Sequence, residues 1–502
     1  MQKLLSDYLS AHKEDFVTHT IVGLFRQAAR WYPDKDAIRL GDAKMTFSML
    51  DRRSDQLAHY LTDHDRIGPG DIVAVATGRS VATPAVVLGI WKTGAAYITI
   101  DSCCPESHNR SCMQSVHSRV CIDRRYYDAA VAVCDRPPAF QDRSRLDQLA
   151  LVLFTSGSTG DPKGVRILHS NIAASVSNFD CLPLRSDDTF ASFASLLFIA
   201  SVYDFCSSLS LGCTVQIVPA SIRKNIRELA AFYIQNRITA TFLPPHMAAK
   251  YIEVDGGTTL RLLLVGSEMT RHLEKRPYRI VNIYASTEAC AVISHYQIQD
   301  SRPVYPIGKL VPALKGYIVT DDGKPAPTGQ SGELWISGAQ VCNGYLNLPE
   351  ANRTHFAPNP FEAKPPFQRV FKTSDIVRML PDGNMEYVCR KDDMFKIRGF
   401  RVEPGGVENY MLEFSHITEA CVTCFTDAGG TNILFGYFIA DTKIDHQALR
   451  AFLLERIPGY AIPTGFIQAD EFPRKQNGKV DRHGFCPPPE LNDHKKLATL
   501  YY

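Results

Sequence analysis

Short apolar runs alternate with amphipathic stretches and turns along much of the chain. Several runs are apolar on consecutive residues, which is typical of strands covered on both faces. With helices between the strands, the pattern predicts an α/β architecture with largely parallel sheets. The runs are DIVAVAT, AVVLGIW, AAYITI, LALVLFT, TVQIVP, TATFLPP and LRLLLVG.

The pattern changes after about Val304. The segment GYIVTDDGKPAPTGQSGELWISG is typical of a hairpin-rich region, with Asp322-Gly323 as a turn signal. A smaller unit begins at Lys391 and ends in PRKQNGKVDR and a polar tail. We therefore predict a large N-terminal domain over residues 1–390 and a small C-terminal domain over residues 391–502.

Composition and charge exclude several classes of partner. The 502 residues are 45% hydrophobic and 22% charged, which is typical of a globular protein, and the formal net charge is +2. This charge gives no electrostatic case for nucleic acid or an anionic membrane as partner. The most apolar window, around Val81 to Ile100, is interrupted by Lys92, and the N-terminus lacks the apolar stretch of a signal peptide.

The cysteines do not indicate a secreted disulfide framework, because such frameworks belong to short chains. We expect the fourteen thiols to be reduced and the protein to be cytoplasmic. Cys421 and Cys424 form a CxxC, but no second CxxC or histidine pair follows at zinc-finger spacing. They lie in the apolar run EACVTCF, so a buried structural role in a strand is favoured over zinc binding.

The segment LVLFTSGSTGDPKGV, from Leu151 to Val165, carries the clearest chemical pattern. An apolar strand leads into a loop of glycines and hydroxyl residues that is closed by a lysine. Glycines let backbone N–H groups point at phosphate oxygens, and the lysine adds positive charge. The spacing is not that of a GxxxxGK[ST] loop. The predicted nucleotide-binding residues in this segment are Thr155, Ser156, Gly157, Ser158, Thr159, Gly160 and Lys163.

Further motifs follow in order: MTFSMLDRRSDQLAHYL, WKTGAAYITID, IYASTE, GELWISGAQVCNGYLNLPE, FKTSDIVRMLPDGNMEYVCRKDD and KIRGFRVEP. With the glycine-rich segment, they resemble the adenylate-forming superfamily of acyl-CoA synthetases, luciferases and nonribosomal peptide synthetase adenylation domains. The resemblance covers nearly the whole chain. It implies sheets flanked by helices and a distorted β-barrel-like subdomain in the large domain, a small mobile α+β domain, and ATP and Mg²⁺ as cofactors.

The resemblance assigns roles in nucleotide binding. It implies that Tyr284 stacks on the adenine ring, because an aromatic face can stack on a base. It also implies that Asn282 binds the nucleotide. It implies that Thr287 reaches the α-phosphate and that Glu288 binds Mg²⁺, which prefers oxygen ligands. A second motif supplies Asp375 for both ribose hydroxyls, and Arg390 is implied to contact the same sugar.

The C-terminal motifs imply the chemistry. Lys479 in QNGKVDR matches the family's terminal lysine, and with Lys163, Thr287 and Glu288 it completes the predicted catalytic set. A positioned ammonium offsets the charge that builds when a carboxylate attacks the α-phosphate. Asp392 matches the family's hinge, about which the small domain rotates and presents the loop around Gly399 to a thiol acceptor.

Four motif positions depart from the commoner family pattern. This chain has YASTE where YGPTE is commoner, TSD where TGD is commoner, and Cys389 where a glycine is usual before Arg390. These changes touch loop conformation and leave the charged and stacking groups in place.

The resemblance also identifies the substrate pocket. Adenylation domains for α-amino acids carry F-D-x-S, whose aspartate binds the substrate ammonium; in this chain the stretch is Phe198-Ile199-Ala200-Ser201. A buried ammonium without a partner costs several kcal/mol. We therefore expect an aliphatic, aryl or α-keto acid, unless Glu268 or Asp204 supplies the missing charge. The implied lining residues are Ile199, Ala200, Tyr203, Phe242, Leu263, Val265, Ile283, Ala291 and Val292.

The predicted function is ATP-dependent activation of a small carboxylic acid and transfer to a thiol. The chain ends about twenty residues after Lys479, so a separate carrier protein with a phosphopantetheine arm is the expected acceptor. A stand-alone D-alanine–carrier ligase is similar in size, but Ile199 argues against D-alanine. The alternatives are an acyl-CoA ligase, an amino-acid–carrier ligase with a non-standard ammonium site, and a degenerate binding protein without catalysis.

Overall fold

The computed structural model describes residues 5, 17–134, 138–155, 162–391, 394–427, 430–474 and 480–492. Two compact units divide the chain. The first contains residues 1–101, 113–154 and 164–391, and the second contains residues 102–112, 155–163 and 392–502. The division of labour between a nucleotide-binding core and a mobile domain stays a prediction.

Two sheets with mainly parallel pairing organise the first unit, and the predicted α/β class is confirmed. A nine-stranded sheet has the order β14-β13-β12-β11-β10-β8-β9-β1-β2, in which β1, β9, β8, β10, β11 and β12 pair in parallel. Its strands are β1 Asp36–Leu40, β2 Ala43–Thr46, β8 Thr189–Ser192, β9 Thr214–Ile217, β10 Ala240–Leu243, β11 Leu262–Gly266, β12 Arg279–Ser286, β13 Ala291–Ile298 and β14 Lys309–Leu310.

A five-stranded sheet has the order β5-β3-β4-β6-β7, and β3 pairs in parallel with β4 and β5. Its strands are β3 Ile72–Val75, β4 Ala96–Thr99, β5 Cys121–Ile122, β6 Leu149–Thr155 and β7 Lys163–Leu168. The two sheets together account for all but one of the predicted apolar runs.

The run AVVLGIW is the exception, because it lies in a helix, Ala82–Lys92, and the strand prediction was wrong there. Nearly every residue of this helix is buried, so the run has no polar face to reveal the helical period. Lys92 is itself fully buried and is neutralised by Asp51 at 2.5 Å and Asp55 at 2.6 Å.

Helices of both units connect the strands along the chain. They are α1 Ile21–Trp31, α2 Phe47–Asp63, α3 Ala82–Lys92, α4 Glu106–Ser115, α5 Arg124–Val133, α6 His169–Val176, α7 Ile199–Ser210, α8 Ile226–Gln235, α9 Pro245–Val254, α10 Pro349–His355, α11 Pro404–Leu412 and α12 His446–Leu454. Among the described residues, no helix is long and apolar enough to cross a membrane.

An antiparallel sheet completes the first unit and contains the predicted hairpin. Strands β15 and β16 pair from Lys315↔Ser337 to Val319↔Glu333, and the N–H of Gly323 donates to Thr320 O at 2.9 Å in the turn between them. The sheet order is β15-β16-β18-β17, with β19 beside β18. The strands are β15 Lys315–Val319, β16 Ser331–Ser337, β17 Phe356–Pro358, β18 Arg369–Met379 and β19 Met385–Arg390.

The second unit is built on a three-stranded sheet, β22-β23-β24, and a separate two-stranded hairpin, β20-β21. Cys421 and Cys424 lie in β22, as the apolar run predicted, and no metal-binding cluster is found among the described residues. All fourteen cysteines are described, and none forms a disulfide. The strands are β20 Phe395–Ile397, β21 Phe400–Val402, β22 Ile417–Thr426, β23 Asn432–Ala440 and β24 Gly465–Gln468.

Candidate active site

Three predicted nucleotide-binding residues from two motifs contact one another. The register of β18 and β19 sets Asp375 directly opposite Arg390, whose Nη1 donates to Asp375 Oδ1 at 3.0 Å. From β12, the Tyr284 hydroxyl donates to Asp375 Oδ2. All three side chains are largely buried. A single carboxylate therefore joins an aromatic ring to a guanidinium.

The electrostatics of this group suit an adenosine. Burial, and then the Asp375 carboxylate, raise the pKa of Tyr284 well above its usual range, so the hydroxyl stays a neutral donor. A carboxylate has about four acceptor positions. Asp375 can therefore keep Tyr284 and Arg390 as partners and still accept from ribose hydroxyls.

The residue before Asp375 is held in an unusual backbone conformation. Ser374 has φ of 60°, in the left-handed region, at the position where the family pattern has glycine. Its N–H donates to Glu333 Oε1 at 3.1 Å, and the Asp375 N–H donates to Thr373 Oγ1 at 3.1 Å. Cys389, which also replaces a glycine, lies in β19 without positive φ. Only the first of these two departures strains the backbone.

A tight turn carries the predicted metal ligand. Strand β12 ends at Ser286, whose hydroxyl accepts from the Ala289 N–H at 3.2 Å and caps the turn Thr287–Ala289. Thr287 is half-buried, and Glu288 is only 1% exposed. Cys290 then adopts φ of 49°, a conformation that costs about 1 kcal/mol or more for a residue with a Cβ.

The segment 340–345 holds this turn from outside. The Gln340 amide donates to the Ala289 carbonyl at 2.6 Å, and the Cys342 N–H donates to the Glu288 carbonyl at 2.8 Å. The Tyr345 hydroxyl donates to Glu288 Oε1 at 2.7 Å. Tyr345 lies in a family motif, GYLNLPE, but the sequence alone assigned it no role.

Asn282 lies two residues before Tyr284 on β12. Its Oδ1 accepts from Thr270 Oγ1 at 2.7 Å, and its Nδ2 donates to the Pro306 carbonyl at 2.8 Å. These bonds fix the amide in one orientation. Its predicted contact with the nucleotide stays a prediction.

Lys163, at the start of β7, has a partner that the sequence did not predict. Its Nζ donates to both carboxylate oxygens of Glu403 at 2.9 Å, within the second unit. The Thr155 hydroxyl donates to the Lys163 carbonyl at 3.4 Å. The Glu403 carboxylate is an anion and binds the Lys163 ammonium. This ammonium is the group predicted to bind phosphate. Glu403 lies in KIRGFRVEP, and a carboxylate within a cationic motif could have suggested such a partner.

The other predicted residues of this loop and of the C-terminal motifs lie outside the described residues. These are Ser156, Gly157, Ser158, Thr159, Gly160, Asp392 and Lys479. The KIRGF motif itself forms the hairpin β20–β21, in which Ile397 pairs with Phe400. Arg398 and Gly399, with φ of 51° and 85°, form its two-residue loop, as the preferred turn of a two-residue hairpin requires.

The predicted acid-pocket residues divide between two hydrophobic clusters. Ile199 opens helix α7, and Tyr203 lies one turn later. The larger cluster contains, or has packed against it, Ile199, Ala200, Tyr203, Phe242, Ile283, Ala291 and Val292. Leu263 and Val265 belong to the other cluster, because side chains alternate along β11. The predicted pocket residues therefore do not all belong to one cluster, and their role in a single pocket stays a prediction.

Both candidates for a replacement ammonium site, Asp204 and Glu268, are at least half-buried. Asp204 on α7 is 1% exposed, and burial raises its pKa to about 7 against the opposing effect of Arg79. The Arg79 guanidinium is anchored on backbone carbonyls, including Ala194 O at 2.7 Å. Glu268 is half-buried and has a partner of its own. Because burial outweighs the effect of Arg79, the Asp204 carboxyl is only partly ionised near neutral pH.

A model of the AMP-binding enzyme family matches residues 25–346. The chain belongs to the AMP-binding enzyme family. The predicted membership in the adenylate-forming superfamily is confirmed, and so is the prediction that the protein is an enzyme.

Relatives and solved structures agree with this family. Bacitracin synthase 1 of Bacillus licheniformis is 34% identical over 482 residues, which cover 93% of this chain and 9% of that protein. The chain thus spans about a tenth of this relative's length.

Among solved structures, NpsA-ThdA, an artificially fused adenylation–PCP di-domain from Klebsiella oxytoca, matches with a TM-score of 0.81 at 24% identity, covering 89% of this chain and 93% of that one. A double mutant of o-succinylbenzoate CoA synthetase from Bacillus subtilis matches with a TM-score of 0.77 at 19% identity, covering 93% and 97%. Both likenesses concern the fold of this AMP-binding enzyme.

A separate apolar cavity of about 40 Å³ borders helix α7. None of the predicted pocket residues lines it. Helix α7 contributes Ser201, Val202, Phe205, Cys206 and Leu209, and the remaining lining residues come largely from α1, α3 and β4.

Proposed function

We propose that this AMP-binding enzyme activates a small carboxylic acid with ATP and transfers the acyl group to a thiol. In the first step an acid oxygen attacks the α-phosphate of ATP, and pyrophosphate leaves. In the second step the thiol sulfur attacks the acyl carbon, AMP leaves, and the thiol proton passes to solvent.

The observation that supports this proposal is the hydrogen-bonded group of Tyr284, Asp375 and Arg390. These residues come from two motifs and offer a ring for a base, acceptors for a sugar and a cation beside them. The arrangement suits an adenosine because the ring can stack on the base and the carboxylate can accept from the ribose hydroxyls.

Glu288 has the donor chemistry that Mg²⁺ requires, since its buried carboxylate supplies hard oxygen atoms. When bound, the ion would neutralise phosphate charge as pyrophosphate departs. Thr287 precedes Glu288 in the same capped turn and would donate to the α-phosphate. Lys479 would offset the developing negative charge, and Lys163 would hold phosphate once its contact with Glu403 is exchanged.

The proposed acceptor is the phosphopantetheine thiol of a separate carrier protein. The di-domain structure with a PCP and the likeness to a peptide synthetase support a carrier. The likeness to a CoA synthetase keeps free CoA as the second candidate. In either case we propose that residues 391–502 act as a mobile domain, with Asp392 as hinge, and present the Arg398–Gly399 loop to the thiol.

The proposed substrate lacks an α-amino group. Ile199 occupies the position of the ammonium-binding aspartate, and its side chain is buried among apolar neighbours. Burial raises the pKa of Asp204 to about 7, so its carboxyl is only partly ionised near neutral pH and is a poor replacement for an ionised aspartate. A compact aliphatic, aryl or α-keto acid fits these walls, which select by shape.

ATP–pyrophosphate exchange across amino acids and matched acids without the amine tests this proposal. We expect the amine-free acids to stimulate exchange, and Lys479→Ala to abolish most of it. Exchange by an amino acid alone would keep the adenylation step and overturn the substrate class. Exchange unchanged by Lys479→Ala would overturn the catalytic role of Lys479. Acyl transfer to CoA, compared with transfer to a carrier protein, then identifies the acceptor.

A further inference from the structure

Tyr345 contacts the one carboxylate that the proposed function assigns to Mg²⁺. Its hydroxyl donates to Glu288 Oε1 at 2.7 Å, and both side chains are buried, at 3% and 1% exposure. A carboxylate so far from water needs hydrogen-bond donors to remain ionised and oriented. Tyr345 supplies one of them.

The position of the Tyr345 hydroxyl is fixed by contacts other than Glu288. The backbone N–H of Tyr345 donates to Asn352 Oδ1 at 2.6 Å, and the backbone carbonyl of Tyr345 accepts from Asn352 Nδ2 at 2.8 Å. Its ring packs edge-to-face on Phe356 and His355, at centroid distances of 5.4 and 6.0 Å. The backbone and the ring are thus held independently, so the hydroxyl is a rigid donor to which the carboxylate adjusts.

The segment around Tyr345 also fixes the backbone of the turn. The Cys342 N–H donates to the Glu288 carbonyl at 2.8 Å, and its thiol donates to the Thr287 carbonyl at 3.2 Å. The main chain of Glu288 is therefore placed by one residue of this segment and its side chain by another. Together they leave little freedom for the carboxylate.

We propose that Tyr345 is a positioning residue that orients the Glu288 carboxylate and so sets the affinity of the enzyme for Mg²⁺. The inference rests on the proposed function, in which Glu288 binds the ion. Hydrogen-bond partners of metal ligands raise metal affinity because they pre-orient the ligand, and their loss costs about 10- to 100-fold in affinity or activity.

The test compares Tyr345→Phe with Tyr251→Phe and Glu288→Gln in the full chain. Tyr345→Phe keeps the ring and removes only the hydroxyl. Tyr251 on α9 is fully buried and its hydroxyl lies 2.8 Å from Thr258 Oγ1, so Tyr251→Phe is a matched control for the loss of a tyrosine hydroxyl. Pyrophosphate exchange is measured against free Mg²⁺ at saturating ATP and acid. Binding of Mn²⁺ with a non-hydrolysable ATP analogue is followed by electron paramagnetic resonance.

We expect Tyr345→Phe to raise the half-saturating Mg²⁺ concentration and the Mn²⁺ dissociation constant about tenfold or more, with KM for the acid unchanged. Tyr251→Phe should change neither. In the Glu288→Gln background, adding Tyr345→Phe should have no further effect on metal dependence. This double-variant comparison separates positioning from a loss of folding stability, which thermal unfolding of each variant measures.

The outcomes distinguish two failures. If Glu288→Gln weakens metal dependence and Tyr345→Phe behaves like Tyr251→Phe, the positioning role of Tyr345 is wrong and the proposed function stands. If Glu288→Gln leaves Mg²⁺ and Mn²⁺ dependence unchanged, Glu288 is not the ligand, and the metal assignment fails together with the inference drawn from it.

Discussion

The nucleotide side and the acid side of the candidate site are built differently. On the nucleotide side, Tyr284, Asp375 and Arg390 are joined by directional hydrogen bonds across two sheets of the first unit. On the acid side, the walls are apolar, and residues such as Ile199 and Leu263 lie in different clusters. Directional bonds tolerate few alternative residues, whereas an apolar wall accepts many of similar volume. Residue identities therefore indicate the chemistry of the first side and only the shape of the second.

The largest effect should come from Asp375→Asn. The substitution removes the charge that pairs with Arg390 and that would accept the ribose hydroxyls, and hydrogen bonds to charged groups contribute about 1.5–3 kcal/mol. We expect the affinity for ATP to fall about 100-fold while KM for the acid is unchanged. Calorimetric titration with ATP measures the first quantity, and exchange kinetics measure the second.

Asp188→Asn is a matched control for that change. Asp188 is buried and pairs with Arg261, and it has no place in the proposed site. The control should lower stability without altering the affinity for ATP. Equal losses of ATP affinity in both variants would show that Asp375 contributes no more to ATP binding than a buried aspartate outside the proposed site.

The motifs predicted Tyr284, Asp375 and Arg390 as members of one site, and these three residues are in contact, because buried polar groups must satisfy one another. Their role in binding a nucleotide stays a prediction. The contact of Tyr345 with Glu288 was missed, since it depends on how residues 340–345 cross the turn. The helix Ala82–Lys92 was mistaken for a strand because burial on nearly all sides removes its amphipathic period.

On the acid side, Ile199→Asp restores the family's ammonium-binding residue. We expect exchange with amine-free acids to fall about 30-fold or more, because a buried carboxylate needs a cation as partner. Amino acids of similar size should begin to support exchange. Ile199→Asn adds polarity without charge and should weaken the amine-free acids without admitting amino acids. If both variants admitted amino acids equally, charge at residue 199 would not select the substrate.

Asp204, on helix α7, predicts an effect of pH on the stability of the protein. Its pKa is raised by burial to about 7 in the folded state, so between about pH 4 and pH 7 the folded protein holds a proton that the unfolded chain has lost. Its contribution to stability therefore falls as pH rises through this window. Relative to Asp204→Asn, the wild type should lose about 2 kcal/mol of unfolding free energy between pH 5 and pH 8.

Urea unfolding at pH 5 and pH 8 gives the change in unfolding free energy for each protein. The change in the wild type is then compared with the change in the variant. The variant and the wild type share every other titrating group. A constant difference between them would mean that Asp204 is ionised across the whole range.

The smallest effects concern Ser374 and Cys389, two of the residues that replace glycines. Ser374→Gly should stabilise the protein by about 1 kcal/mol, since a left-handed conformation is costly for any residue with a Cβ. Cys389→Gly should destabilise it by about 0.5–1 kcal/mol, because the strand conformation there needs no glycine. Denaturant midpoints with unchanged slopes report both. If both substitutions stabilised the protein, or both destabilised it, the backbone conformation described for Ser374 or for Cys389 would be contradicted.

The cavity beside α7 has a mechanical consequence. An unfilled space makes the native state larger in volume than a state in which water or side chains occupy that space, so hydrostatic pressure favours the filled state. Pressure should therefore act on the helix that carries Ile199 and Tyr203, and so on the proposed wall of the acid pocket.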